Sequence, residues 1–143
     1  MKIFDATLKT VEHALDVRLV EQNVLAGNVA NVDTPGYKPK ELDFGAAMAA
    51  AQSSAGGDAM VATAPNHMGA NGSTIADGSR VSELAASMVT DGRGTTSPSF
   101  DGNTVDLDRT MTGMAENALQ YGASARAASK KLAILRYATD GGS

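Results

Sequence analysis

Apolar and small residues recur at alternating steps of three and four in two places, one at each end of the chain. Near the C-terminus the series runs Met111, Met114, Ala118, Tyr121, Ala125, Ala128, Leu132 and Leu135. Near the N-terminus it runs Phe4, Leu8, Val11, Leu15, Arg18, Gln22, Leu25 and Val29, with Arg18 and Gln22 as polar interruptions. Such steps keep every member of a series on one narrow stripe of an α-helix. A narrow stripe does not wrap a globular core. It makes a seam, and a seam needs another helix to cover it. The spacing therefore predicts two terminal helices that zip to each other and to further copies or partners.

Helix is expected from about Lys2 to Asn31, ending at Asp33-Thr34-Pro35-Gly36. Pro35 disfavours helical backbone at Thr34, and Gly36 admits a positive φ that lets the chain turn. Leu42, Phe44 and the run Ala46–Ala51 restore apolar character, as a short helix or an extended segment. Gln52–Gly78 is rich in Gly, Ser, Ala, Asn and Asp, a linker-like composition with a short strand expected at Met60–Thr63. Val81, Leu84, Ala85, Met88 and Val89 then fall at helical spacing, predicting a helix over Ser79–Val89 that breaks at Asp91-Gly92-Arg93-Gly94. Asn103 or Thr104 is the expected cap of the last helix, with Asp106 and Asp108 complementing its dipole and Ala138 near its end. These boundaries give an N-terminal helix at 1–33, an irregular middle at 34–102 and a C-terminal helix at 103–143, together one domain.

Composition bears on how firmly such a chain folds alone. Hydrophobic residues make up 43% of the 143, but three Phe, three Tyr and no Trp leave few large side chains to bury, and fifteen Gly add backbone entropy. The expectation is a marginal monomer that gains order on association, with terminal helices poorly ordered in the isolated chain.

Reaction chemistry has no constellation to rest on. With no cysteine, disulfides, thiolate metal sites and cysteine nucleophiles are excluded. His13 and His67 lie far apart and read as one surface and one loop histidine rather than metal ligands. Asp106 and Asp108 read as dipole-complementing residues rather than a catalytic carboxylate pair, and Asp91-Gly92-Arg93-Gly94 lacks the Lys-Ser/Thr of a phosphate-binding loop. Met111 and Met114 read as seam packing. No catalytic residue, metal, cofactor or small-molecule substrate is expected. The net charge of −4 argues against nucleic acid, and Lys130, Lys131 and Arg136 read as a solvated helix face near a C-terminus. No window is continuously apolar over a bilayer's width. Asp5, Lys9, Glu12 and Asp16 interrupt the N-terminal segment, so no cleaved signal peptide is expected.

One stretch carries a family resemblance. Leu25-Ala26-Gly27-Asn28-Val29-Ala30-Asn31-Val32-Asp33-Thr34-Pro35-Gly36-Tyr37-Lys38 resembles the N-terminal signature of the bacterial flagellar rod and hook proteins, an Asn-x-x-Asn pair running into Thr-Pro-Gly-Tyr. Asp101-Gly102-Asn103-Thr104-Val105-Asp106, followed by Met114-Ala115-Glu116-Asn117 and Tyr121, resembles the proximal-rod branch of that family, as does Thr63-Ala64-Pro65-Asn66-His67-Met68. Gly27 stands where Ala or Ser is common, which implies a looser helix there. Nothing is carried over onto Gly69–Ser99.

The resemblance implies a mainly α fold whose terminal helices pair as an antiparallel coiled coil. It also implies a structural subunit of the proximal rod, assembling into a helical tube that transmits torque from motor to hook. Its implied partners are other copies, other flagellar rod proteins and the MS-ring/export-gate junction. Its implied location is the basal body in the periplasm, reached through the flagellar type III export system. Asn28, Asn31, Thr34, Pro35, Gly36 and Tyr37 become the implied interaction motif, and Leu8, Val11, Leu15, Met111, Met114, Ala118, Tyr121, Leu132 and Leu135 the packing seam. The amides of Asn28 and Asn31 have two expected uses: bonding carbonyls at the helix end, or reaching a neighbouring subunit. The competing class is a soluble helical export adaptor or chaperone, which should be stably folded alone.

Overall fold

The computed structural model describes residues 6–54, 78–95 and 100–140. Its elements are α1 (Ala6–Ala30), β1 (Lys40–Leu42), α2 (Phe44–Ser54), α3 (Gly78–Ser87), β2 (Val89–Asp91) and α4 (Leu107–Thr139). The strand expected at Met60–Thr63 and the segment Thr63–Met68 lie outside the described residues, as does Phe4 of the N-terminal series.

α1 is the spine, and it buries two faces. Val17 is fully buried and centres a small core with Leu42, Ala47, Ala51, Val81 and Ala85. Alanines at these positions let α2 and α3 come close to α1, at the cost of little apolar area per residue. Asp43 starts α2: its Oδ1 accepts from Ala46 N at 2.9 Å. β1 and β2 pair antiparallel, Lys40 with Asp91, Glu41 with Thr90 and Leu42 with Val89, which turns Leu42 into the core. Val89 was expected to end a helix. It begins a strand instead, because its backbone pairs with β1 and its side chain packs on the same core.

α4 packs along α1 on another side. The position of a side chain at Gly113 lies 3.6 Å from Leu25, and Asn117 bonds Arg18. Later α1 positions thus meet earlier α4 positions, so the two helices run in opposite directions.

Two further expectations need correction. The last helix begins at Leu107 rather than at Asn103 or Thr104: Asp106 is the cap, accepting from Arg109 N at 3.0 Å, with Asp108 in the first turn. Asn103 is not available as a cap because its amide is used elsewhere. His13 is not a surface residue: it is only 8% exposed, one turn before Val17 on the core face of α1. α1 runs through Gly27 to Ala30. Among the described residues, no helix is long and apolar enough to cross a membrane, and no three His, Cys, Asp or Glu side chains converge as metal ligands.

Candidate functional site

The signature residues form a corner where α1 ends and the chain returns to start α4. Asn28, 3% exposed, treats Lys40 as a strand partner: its Nδ2 donates to Lys40 O at 2.7 Å, and its Oδ1 accepts from Lys40 N at 2.8 Å. Tyr37 Oη donates to the same Oδ1 at 3.3 Å. Asn31 Nδ2 caps the helix end through Gly27 O at 2.8 Å, and its Oδ1 accepts from Thr34 Oγ1 at 3.2 Å. Both asparagine amides are therefore engaged within the chain.

Across the corner stands Asn103, 5% exposed. Its Nδ2 lies 2.9, 2.8 and 2.8 Å from the carbonyls of Asn31, Val32 and Thr34. These carbonyls lie past the helix ladder; Asn31 O and Thr34 O also accept from Thr34 N and Tyr37 N in turns. Its Oδ1 accepts from Val105 N at 2.8 Å. Gly36 N donates to Asp101 O at 3.0 Å, and Thr104 N to Tyr37 O at 3.1 Å. The loops meet through Gly36 and Gly102, whose φ values of 71° and 77° belong to the left-handed region that glycine tolerates without strain. Thr34, Pro35 and Gly36 remain exposed on the outside of the corner, with Tyr37 half-buried.

The second feature is the helix pair. Arg18 and Gln22, the polar interruptions of the N-terminal series, both face Asn117. Leu8, Val11, Leu15, Leu25 and Val29 of that series are half-buried. On α4 the line of contact runs through Thr110, Gly113 and Asn117 and continues at helical spacing to Ala128 and Leu135, while Met111, Ala118 and Leu132 lie to one side of it. Met114 and Leu135 are half-buried, and Ala118 is exposed. Met111, Tyr121 and Leu132 are 54%, 42% and 49% exposed. Leu119, Ile134 and Tyr137 add to the exposed apolar surface of α4, as does Leu19 on α1.

A groove of about 290 Å³ lies between the helix pair and the strands, lined in part by Glu21, Leu25, Lys40, Arg109 and Glu116. Arg109 pairs with Glu41 at 3.6 Å across partly exposed surface, worth little in water. Burial pushes the Glu21 carboxyl up, opposed by the Arg18 guanidinium 3.6 Å away.

Asn103 and Asn117 carry the tightest side-chain bonding to α1 and its turn, yet sequence reasoning gave Asn103 only a capping role and Asn117 only a place in a motif. The two polar gaps in the N-terminal stripe were the available signal, since a polar residue on a buried stripe asks for a polar partner opposite.

Comparison with known proteins places these residues in context. Residues 8–38, from the first turn of α1 through the corner, match the family described as "Flagella basal body rod protein". The flagellar basal body rod protein FlgB of Salmonella typhimurium is 37% identical over 121 residues, 82% of this chain and 80% of that protein. FlgB of Escherichia coli K12 is 36% identical over 132 residues, covering 90% and 88%. FlgB of Bacillus subtilis 168 is 31% identical over 142 residues, covering 99% of each.

Proposed function

Because the chain belongs to the flagellar basal body rod protein family, a structural and not an enzymatic one, we propose that it builds the proximal rod as one subunit of a helical tube that carries torque from motor to hook. The observation that carries this reading is the apolar surface of α4 that the chain's own α1 leaves open: Met111, Tyr121 and Leu132 on one side of the helix and Leu119 and Ile134 on another, each more than 40% exposed. Single exposed apolar residues are ordinary, but a series spread along a helix of about 50 Å is what neighbouring helices would cover. Neighbours that repeat a head-to-tail contact without closing a ring form a helical array, the geometry a tube needs.

In this reading α1 and α4 pack as an antiparallel coiled coil toward the inner wall, and the exposed Thr34-Pro35-Gly36 tip of the corner meets adjacent subunits. Its partners are further copies, other rod proteins and the MS-ring/export-gate junction. A chain with few large side chains and no cysteine suits passage in an unfolded form through the type III export channel, without a cleaved signal peptide.

Deletion and complementation test this. Loss of the chain should stop basal bodies before a rod forms, and the complementing protein should be recovered in basal bodies with its N-terminus intact by mass spectrometry. Recovery only as a soluble complex with export clients, with rods still built in the deletion strain, would favour the adaptor reading instead.

A further inference from the structure

The contact between α1 and α4 is poor in features that would distinguish one alignment from another. Among the described residues of α4 only Thr110 and Asn117 are buried, and a Cβ at Gly113 would sit at ordinary van der Waals distance from Leu25. Ala125 and Ala128, both half-buried, follow along the helix. Apolar contact between small residues is non-directional, so a slip of one turn would cost such a surface little.

Along the helix pair itself, beyond the Asn103 latch at its end, Asn117 is the exception. It is 3% exposed. Its Nδ2 donates to Arg18 O and to Gln22 Oε1, both at 2.9 Å, and its Oδ1 accepts from Arg18 Nη1 at 3.3 Å. Arg18 is itself anchored, its guanidinium 4.4 Å above the Phe44 ring centroid and 3.6 Å from the Glu21 carboxylate. The network therefore ties α4 to α1 and, through Phe44, to α2. A slip of one turn along α1 would keep one of the two side-chain partners and put Ala14 or Ala26 in place of the other. Asn117 would then be buried with its hydrogen bonds incomplete, which is costly where water is excluded.

We propose that Asn117, with Arg18 and Gln22, is a register lock: it selects a single alignment of the terminal helices and so fixes the outer surface they present to neighbouring subunits. A single polar residue in an apolar helix interface specifies register in this way, exchanging some stability for uniqueness. One turn of slip moves the α4 face by about 5.4 Å against Leu19 and the rest of α1's outer surface. Neighbouring helices packed on both would no longer fit. The consequence for assembly rests on the rod reading above; the lock itself does not.

The absence of cysteine makes disulfide trapping clean. The pair Leu25→Cys with Gly113→Cys reports the observed register. Glu21→Cys or Val29→Cys, each with Gly113→Cys, reports a slip of one turn in either direction. The unaltered lock should trap only the first pair, in the full-length chain and in basal bodies. Adding Asn117→Leu should leave helix content and thermal stability equal or higher. Preference for the first pair should drop by about tenfold, the scale of one lost hydrogen-bond preference, and rod yield should fall. Gln22→Leu should shift the trapping in the same direction by a smaller factor. Trapping of the first pair alone in Asn117→Leu, with normal rod yield, would overturn the proposal. So would loss of helix content in that variant, because Asn117 would then hold the fold rather than choose among alignments. Failure of the unaltered chain to complement a deletion strain would instead contradict the rod reading, whatever the trapping pattern.

Discussion

Asn103 gathers three backbone carbonyls at one amide group, and its own carbonyl serves the chain entering α4. Removing that buried amide takes the donor from Val32 O and breaks the tie between the turn after α1 and the chain entering α4, while Asn31 O and Thr34 O keep Thr34 N and Tyr37 N as turn donors. Asn103→Ala should destabilise the chain by about 2 to 3 kcal/mol, read as a lower urea midpoint, and Asn103→Asp by at least as much, since a carboxylate would face three carbonyls. Glu21 offers a test of opposite sign. Its carboxyl is pushed above the ordinary glutamate value, chiefly by burial and in spite of Arg18. A folded-state pKa above the unfolded one means that folding favours the protonated form. The associated stability is present below the unfolded pKa and lost as pH rises through the folded one. Glu21→Gln, which keeps the shape and cannot ionise, should therefore melt higher than the parent at pH 7. The difference should vanish below the ordinary glutamate range, about pH 4. A lower melting temperature for the variant at pH 7 would show that the Arg18 pairing outweighs burial.

At the scale of elements, α1 was the most legible and also the most incompletely read. Its stripe of Leu8, Val11, Leu15, Leu25 and Val29 announces a helix that meets another helix, and pairing with the C-terminal helix follows from two such stripes at opposite ends. The second buried face, marked by His13 and Val17, was hidden because its partners Ala47, Ala51, Val81 and Ala85 are too small to stand out from a composition rich in alanine. The strand pair was hidden for another reason: three-residue strands separated by two helices carry no local period, and only the long-range pairing of Leu42 with Val89 defines them. The corner's turn was plain from Pro35 and Gly36. Its latch was not, since Asn103 lies some seventy positions beyond the asparagines of the signature. For α4, the stripe spacing indicates a seam but does not say which of two adjacent lines its own α1 covers. Leu132 tests what the other line does. At 49% exposed, Leu132→Asp should change the stability of the free chain by less than about 0.5 kcal/mol. The same charge beneath a neighbouring helix would cost several kcal/mol, so rods should fail to form and swimming should stop while export continues. Normal swimming of this variant would remove Leu132 from the assembly surface.

Seen whole, the molecule joins a small alanine-rich core on one side of α1 to a long helix held on another side by Asn117 and by the corner. Met111, Leu119, Tyr121, Leu132 and Ile134 of that helix are exposed. That distribution would be a liability in a protein meant to stay alone, and it suits one whose stability is completed by neighbours. The central claim is that neighbours cover the open face of α4 in a rod. A density map of purified basal bodies, sharp enough to place side chains, tests this most directly. The account predicts α1 and α4 paired in the proximal rod, with Met111, Tyr121 and Leu132 buried under helices of adjacent subunits. A map in which these three side chains face solvent, or in which the chain occupies no place in the rod, would contradict it.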